Sequence, residues 1–123
     1  IAGGDIYPFR FVKVSTAADD TGLQAAEATT TVLGVADGST KSSTGSDAAK
    51  HAVSGDPITL QGGDVVLVEC SGNITRGALI ESDANGKAQT TTGARFHGYV
   101  ALQSASSGLI IRAQKVSGWR YYA

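Results

Sequence analysis

Apolar and polar residues alternate along most of this chain in short runs that are separated by turn residues. In Val65–Cys70, for example, the odd-numbered residues fall on one face of an extended strand and the even-numbered residues fall on the other. This pattern of period two, bounded by Gly, Asn and Asp, predicts antiparallel strands. The predicted strands are Ile6–Ser15, Leu23–Ala26, Thr31–Ala36, Pro57–Gln61, Val65–Cys70, Ile74–Glu81, Arg95–Leu102 and Gly108–Ala113.

The frequent turns between these runs favour a sandwich or a barrel. With 123 residues, the chain has the length of one domain. We therefore predict a single all-β domain over residues 1–123, a small β-sandwich or barrel of about eight mostly antiparallel strands with at most one short helix. The predicted core consists of Phe9, Phe11, Val35, Val66, Val68, Leu79, Ile80, Val100, Leu102 and Ile110.

The N-terminal residues are predicted to form a flexible tail, Ile1–Asp5, before the first strand. Gly3 and Gly4 give this tail conformational freedom. Pro8 cannot donate a ladder hydrogen bond, so we expect either that the first strand begins at a sheet edge or that Pro8 lies near the strand's own start. An unpaired edge invites strand addition, and we expect Ile1–Tyr7 to lie along a neighbouring subunit.

A polar segment, Gly38–Gly55, interrupts the strand pattern. Its first half is too rich in Ser and Thr for a core element. Its second half could hold one short helix, which Ser46 or Asp47 would cap and Gly55 would end. Long polar loops in compact domains are usually functional or mobile, and we interpret this segment as a contact loop, with a plain solvated loop as the alternative.

Composition removes several classes of partner. Hydrophobic residues make up 41% of the chain and charged residues only 17%, with a formal net charge of −1. No basic field is present to attract nucleic acid or anionic lipid. No apolar run approaches the roughly 20 residues of a membrane-spanning helix. We therefore expect neither a nucleic-acid partner nor a membrane partner, and a neutral surface suited to contact with protein.

The chain offers little for catalysis or metal binding. His51 and His97 are the only histidines and Cys70 is the only cysteine, without the paired spacing of zinc sites. No nucleophile motif accompanies either histidine, and Cys70 lies in an apolar strand as an expected inert core thiol. Asp83–Gly86 is better explained as an Asn-Gly hairpin turn, with both central residues at positive φ, than as a calcium loop. We expect no enzyme activity and no cofactor.

The C-terminus is basic and aromatic. It contains Trp119, Arg120, Tyr121 and Tyr122. Trp, Tyr and Arg are the usual anchors of protein interfaces, so an interface is the first interpretation of this end. Packing against the domain's own sheet is the second.

The order of these motifs resembles the capsid cement, or head decoration, proteins of tailed bacteriophages. The resemblance covers nearly the whole chain, although each motif alone is weak. It rests on the following residues: Gly4, Asp5, Pro8, Arg10–Val12, Val35–Gly38, Gly63–Val66, Ile74–Ile80, Asp83, Gly86, Lys87, Gly98–Leu102, Ala105, Gly108 and Ile110. The polar segment Gly38–Gly55 departs from the family in being longer and richer in Ser.

The resemblance implies a structural protein on the outer surface of the virion capsid, where it binds the major capsid protein and stabilises contacts between capsid subunits. It also implies self-association, with a trimer favoured and a dimer as the alternative. A β-sandwich adhesion or carbohydrate-binding module of a virion is the alternative function. The predicted contact residues are Ile1, Ile6, Tyr7, Lys41, Lys50, His51, Trp119, Arg120, Tyr121 and Tyr122.

Overall fold

The computed structural model describes residues 1–26, 32–41, 46, 48–91 and 98–116. It contains eight strands: β1 (Phe11–Val14), β2 (Gly22–Gln24), β3 (Val32–Val35), β4 (Val65–Glu69), β5 (Leu79–Ser82), β6 (Ala88–Thr90), β7 (Tyr99–Ala101) and β8 (Ile110–Lys115). All pairings between them are antiparallel. The all-β prediction, a small domain of about eight strands consistent with a sandwich, is confirmed.

The described residues contain no helix, and hence none that could span a membrane. In the segment predicted to be able to hold one short helix, Ala48 and Ala49 form a turn and Ala52 makes an isolated bridge to Ile6. Asp47, one of its two proposed caps, lies outside the described residues.

The smaller sheet has three strands in the order β2-β1-β3. β1 and β2 form a hairpin, with Val12 opposite Gln24 and Val14 opposite Gly22. Of the two predicted placements of Pro8, the sheet edge is wrong, because β1 is the central strand, whereas the start of the strand is confirmed. Pro8 does not interrupt its ladder, since it lies in a turn before the strand begins at Phe11.

The larger sheet has five strands in the order β4-β8-β7-β5-β6. Cys70, which follows β4, forms a parallel bridge with Ala88 of β6. The Ser71 N–H also donates to the Ala88 carbonyl at 2.9 Å. The first and last strands of this sheet are therefore joined at one end, as the strands of a barrel are.

The first half of strand β1 is buried on both faces and so contributes to two separate cores. Phe11 belongs to the main core, between the two sheets, with Val35, Val68 and Ile80. Val12 points the other way, into a second small core that also contains Ala2, Ile6, Ala36 and Ala52. This double burial explains why its sequence does not alternate between apolar and polar residues.

Half of the predicted core is placed differently by the structure. Phe11, Val35, Val66, Val68 and Ile80 are buried as predicted. Leu79 and Val100 are only partly buried, and Leu102 and Ile110 are 37% and 45% exposed. In β8 the inward positions are Ile111 and Ala113, one residue out of phase with the prediction. A shift of one residue in a strand moves each side chain to the opposite face.

The hairpin at Asp83–Gly86 is present and pairs β5 with β6. Only Gly86 has positive φ (77°), so the prediction that both central residues adopt it is wrong. The carboxylate of Asp83 instead accepts the N–H groups of Asn85 and Lys87 at 2.8 and 2.9 Å. The return strand β6 had not been predicted, although a hairpin turn requires one.

The segment predicted as a strand at Pro57–Gln61 forms only one bridge, from Leu60 to Ala36. Its main contribution is the Gln61 side chain, which links the residue after β3 to β4 of the other sheet. The Gln61 amide donates to the carbonyls of Leu67 and Ala36 at 2.6 and 3.1 Å and accepts the Leu67 N–H at 2.7 Å. It thereby occupies part of the outer edge of β4, which would otherwise be open to pairing.

Substitution Gln61→Ala is expected to lower the free energy of unfolding by about 1–2 kcal/mol, because three hydrogen bonds are lost together. Gln103→Ala is the matched control, since Gln103 accepts one N–H, from Arg112, at 2.9 Å. Urea unfolding of both variants measures the difference. Equal losses would show that the Gln61 bridge adds nothing to the joining of the sheets.

Candidate functional site

The N-terminal segment is held within the fold instead of forming the predicted flexible tail. Ala2 is 1% exposed and forms a parallel bridge with Gly22 at the edge of β2. Its N–H donates to the carbonyl of Asp56 at 2.7 Å, and its carbonyl accepts the N–H of Gly55 at 2.8 Å. The expected strand addition thus takes place inside the chain, where it satisfies the edge of β2.

Ile6 and Tyr7 continue this segment, and only part of their predicted contact role is compatible with their positions. Ile6 is fully buried in the second core, so its side chain cannot touch a partner directly. Tyr7 is half-buried, with the guanidinium of Arg10 at 5.2 Å from its ring centroid. Ile1 is 62% exposed and is the one predicted contact of this segment with an open apolar side chain.

The polar segment is tied down at both ends by ion pairs. Lys41 Nζ lies 2.8 Å from the carboxylate of Asp56, and Lys50 Nζ lies 3.1 Å from that of Asp5. The Lys41 N–H also donates to the Lys50 carbonyl at 2.8 Å. The Lys41 ammonium, followed by the Val53 N–H, lowers the pKa of Asp56. The side chains of the predicted contacts Lys41 and Lys50 therefore form ion pairs within the chain, and these ion pairs fix the base of this loop.

His51, a predicted contact, is buried at 7% exposure, so its side chain is not accessible to a partner. Its Nε2 accepts the Thr59 N–H at 3.0 Å. Its Nδ1 lies 3.0 Å from the Ser39 carbonyl and 3.3 Å from the carboxylate of Asp37. These partners assign the proton to Nδ1, because Nε2 must have a free lone pair. His51 is a structural residue that links the two sides of the polar segment.

Asp37, beside His51, is expected to make stability depend on acid pH. The Ser39 hydroxyl first, and then the Ser39 N–H and His51, lower the pKa of Asp37. A lowered pKa contributes stability that is present above the unfolded value of about 3.9 and is lost as the pH falls through the folded value.

Asp37→Asn should therefore be less stable than the unmodified protein at pH 7, and the difference should shrink as the pH falls below about 4. Thermal unfolding midpoints over this range measure the effect. Asp19→Asn, at an exposed turn position, is the control. A gap between Asp37→Asn and the parent that is constant with pH would contradict this assignment.

The aromatic residues of the described chain do not form a flat binding platform. Tyr99 is 6% exposed and packs against Phe11, with ring centroids 5.5 Å apart, and burial raises its pKa. Tyr7 is covered by Arg10. The predicted contacts Trp119, Arg120, Tyr121 and Tyr122 lie outside the described residues.

The part of the chain that the structure describes contains no group of three His, Cys, Asp or Glu side chains that could hold a metal ion. Cys70 is fully buried, and this burial raises the pKa of its thiol. The prediction of a buried core thiol is confirmed. A protonated, inaccessible thiol is a poor nucleophile. His97 lies outside the described residues.

Apart from Ile1, sequence reasoning missed a set of exposed apolar side chains, which are the most distinctive surface feature of the fold. They are Ile1, Val14, Leu33, Leu60, Val65, Leu67, Leu102, Leu109 and Ile110, each 36–62% exposed. A signal was present in β4, where the outward residues Val65 and Leu67 are as apolar as the inward Val66 and Val68. A strand at a wet surface would normally carry polar residues on its outer face.

No protein-family model matches the sequence, and no curated protein sequence matches it either. The fold does match a solved structure, the N base of the head fiber gp8.5 of bacteriophage phi29, with a TM-score of 0.68. The match covers 98% of this chain and 93% of that chain at 17% sequence identity. At this identity the likeness shows a common fold, and that fold is the one found in this phage head fiber base.

Proposed function

We propose that this protein is a structural component of a phage virion, which binds the outer surface of the assembled head and stabilises contacts between major capsid subunits. The observation that carries the proposal is the likeness of nearly the whole chain to a phage head fiber base. The order of the sequence motifs, which resembles that of head decoration proteins, supports the same proposal.

The chemistry of the described surface supports a structural function. The ion pairs Lys41–Asp56 and Lys50–Asp5 join parts of the chain that are distant in sequence. The exposed apolar side chains offer area for contact with protein. This arrangement suits a rigid domain that stabilises a partner by burying surface.

The physical mechanism is the sum of many modest contacts. A standard interface buries roughly 1,600 Å² in total. On a closed shell the same contact recurs at each equivalent site, and copies that grip neighbouring subunits together gain from effective concentration. A binding site that spans two capsid subunits exists only in the assembled shell. Binding there therefore stabilises the shell relative to the separated subunits.

Co-sedimentation tests the proposal. Purified protein is added to intact heads that lack it, to empty tail assemblies, and to host cell envelopes, and the bound fraction is measured in each pellet. We expect saturable binding to heads alone, at a fixed ratio of protein to capsid subunit. Binding to envelopes that free saccharide competes away, without binding to heads, would instead favour the adhesion or carbohydrate-binding alternative.

A further inference from the structure

The turn between β5 and β6 joins an asparagine to a glycine. Asn85 is exposed, whereas Gly86 is buried and has φ of 77°. The side-chain amide of Asn85 makes no hydrogen bond within the described residues. Asparagine is one of the chemically labile residues of proteins, because the backbone nitrogen of the following residue can attack its side-chain carbonyl carbon. Gly86 has no side chain to obstruct this approach.

The backbone nitrogen of Gly86 is weakly held. It lies 3.4 Å from the Asp83 carbonyl oxygen, beyond the distances of about 2.7–3.2 Å that are usual for an N–H···O hydrogen bond. The Asp83 carboxylate instead accepts the N–H groups on either side, those of Asn85 and Lys87, at 2.8 and 2.9 Å. The turn therefore fixes the neighbours of Gly86 more firmly than the Gly86 nitrogen itself.

A cation contacts the peptide bond between Asn85 and Gly86. Arg10 Nη1 donates to the Asn85 carbonyl at 3.0 Å. When a base removes the Gly86 amide proton, the negative charge is shared between the Gly86 nitrogen and the Asn85 carbonyl oxygen. A guanidinium already in place at that oxygen stabilises this anion, and the anion is the nucleophile.

The surroundings of Arg10 hold its guanidinium at this position. Its Nε lies 3.5 Å from the Glu69 carboxylate, and its guanidinium carbon lies 5.2 Å from the centroid of the Tyr7 ring. Lys87 Nζ lies 3.2 Å from the same Glu69 carboxylate. The two cations near the turn are thus balanced by the carboxylates of Glu69 and Asp83. The effect of Arg10 on the peptide bond therefore comes from direct contact and not from a net local charge.

We propose that Asn85 is a site of spontaneous deamidation that the contact with Arg10 accelerates. The Gly86 nitrogen loses its proton to water or hydroxide and forms a bond to the side-chain carbonyl carbon of Asn85. The bond between that carbon and the amide nitrogen breaks, and this nitrogen takes up a proton and leaves as ammonia. Water then opens the resulting cyclic imide at either carbonyl, which gives aspartate or isoaspartate. Water is consumed and ammonia released, with no change of oxidation state.

The other asparagine of the chain, Asn73, is a natural control. Asn73 is also exposed, but the residue after it, Ile74, is only 3% exposed. The Ile74 N–H donates to the Ala105 carbonyl at 2.8 Å. Attack by this nitrogen would break a hydrogen bond of ordinary length and displace a buried, β-branched side chain. We therefore expect Asn73 to keep its amide while Asn85 loses it.

Deamidation at this turn has a structural consequence. The Gly86 carbonyl accepts the Phe11 N–H of β1 at 2.8 Å, and a Cβ atom on Gly86 would lie 2.8 Å from Gln24 Cγ. Isoaspartate carries the chain through its side chain and so lengthens the backbone of the turn by one carbon. The closely packed turn cannot keep its contacts with β1 and β2 after this change. The isoaspartate form should therefore unfold at a lower temperature than the unmodified protein.

Peptide mapping by mass spectrometry tests the proposal on the full chain aged at mildly alkaline pH, with isoaspartate methyltransferase labelling to identify the product. Asn85 should lose its amide at least about tenfold faster than Asn73 in the folded protein, because the Ile74 nitrogen would have to give up a hydrogen bond. The ratio of the two rates should fall in urea, where Ile74 is released and Arg10 no longer contacts the turn.

Arg10→Gln isolates the contribution of the guanidinium. It should slow the reaction of Asn85 about tenfold in the folded protein, because a neutral donor replaces a charged one, and should have no effect in urea. Arg76→Gln, at an exposed turn position, is the charge-matched control and should leave the rate unchanged. Circular dichroism verifies that each variant is folded.

Three results would overturn the proposal: an Asn85 amide that survives in the folded protein but is lost in urea, a rate ratio no larger in the folded protein than in urea, or folded Arg10→Gln that reacts as fast as the parent. The ratio needs no variant, so it decides the matter even if Arg10→Gln does not fold. Anion exchange separates the modified forms, and an isoaspartate fraction with the thermal midpoint of the parent would overturn the structural consequence. These measurements use isolated protein, so their outcome is independent of shell binding.

Discussion

Phe11→Ala is expected to lower the free energy of unfolding by about 3–5 kcal/mol. Phe11 is 1% exposed, lies in the central strand of the three-stranded sheet, and contacts Tyr99 of the five-stranded sheet. Truncation therefore removes buried apolar area, an aromatic pair and a contact between the sheets at one position. The total free energy of unfolding of such domains is about 5–15 kcal/mol. A large part of it therefore depends on this side chain.

Phe9→Ala is the matched control, because Phe9 was predicted to share the core with Phe11 and the structure places it elsewhere. Phe9 is only partly buried and has φ of 59°, a conformation that favours glycine over residues with a side chain. Its ring packs closely against Gly38 instead of entering the main core. We expect a loss of at most about 1 kcal/mol. Chemical denaturation that gave similar losses for both variants would contradict the division between them.

Heads that lack this protein are expected to assemble but to burst at a lower temperature and under weaker osmotic shock. A ligand present at about a thousand times its Kd stabilises the state it binds by about 4 kcal/mol per site. Light scattering and release of the genome during a thermal ramp measure the difference. Adding back the purified protein should restore resistance, whereas Phe11→Ala protein, if unfolded at the working temperature, should not.

Equal thermal and osmotic resistance with and without the protein would count against the stabilising role. Such a result, combined with saturable binding to heads, would show that the protein decorates the shell without stabilising it. The two measurements therefore separate binding from stabilisation.

The strand pattern predicted the fold class and most strands, but it could not predict which strand pairs with which. Pro8 suggested a sheet edge, yet β1 begins three residues later and has a partner on each side. The same missing information explains Ile110 and Ile111, where two adjacent apolar residues leave the phase of the strand undetermined. Strand pairing depends on contacts between residues far apart in sequence, and period-two alternation does not indicate which residues make those contacts.

The candidate contact residues illustrate the same limit. Lys41, Lys50 and His51 look solvated in a polar sequence, but Asp56, Asp5 and Thr59 engage them within the chain. Conversely, Leu33 and Leu67 look like core residues and are nearly half exposed. Sequence identifies which residues prefer burial, whereas the tertiary structure decides which of them are left for a partner.

Comparison of cryo-electron microscopy maps of heads with and without this protein tests the central claim most directly. We predict difference density on the outer surface of the shell, across boundaries between major capsid subunits, into which two packed sheets of three and five strands fit. Identical shells in the two maps, or difference density confined to the tail or the shell interior, would contradict the account.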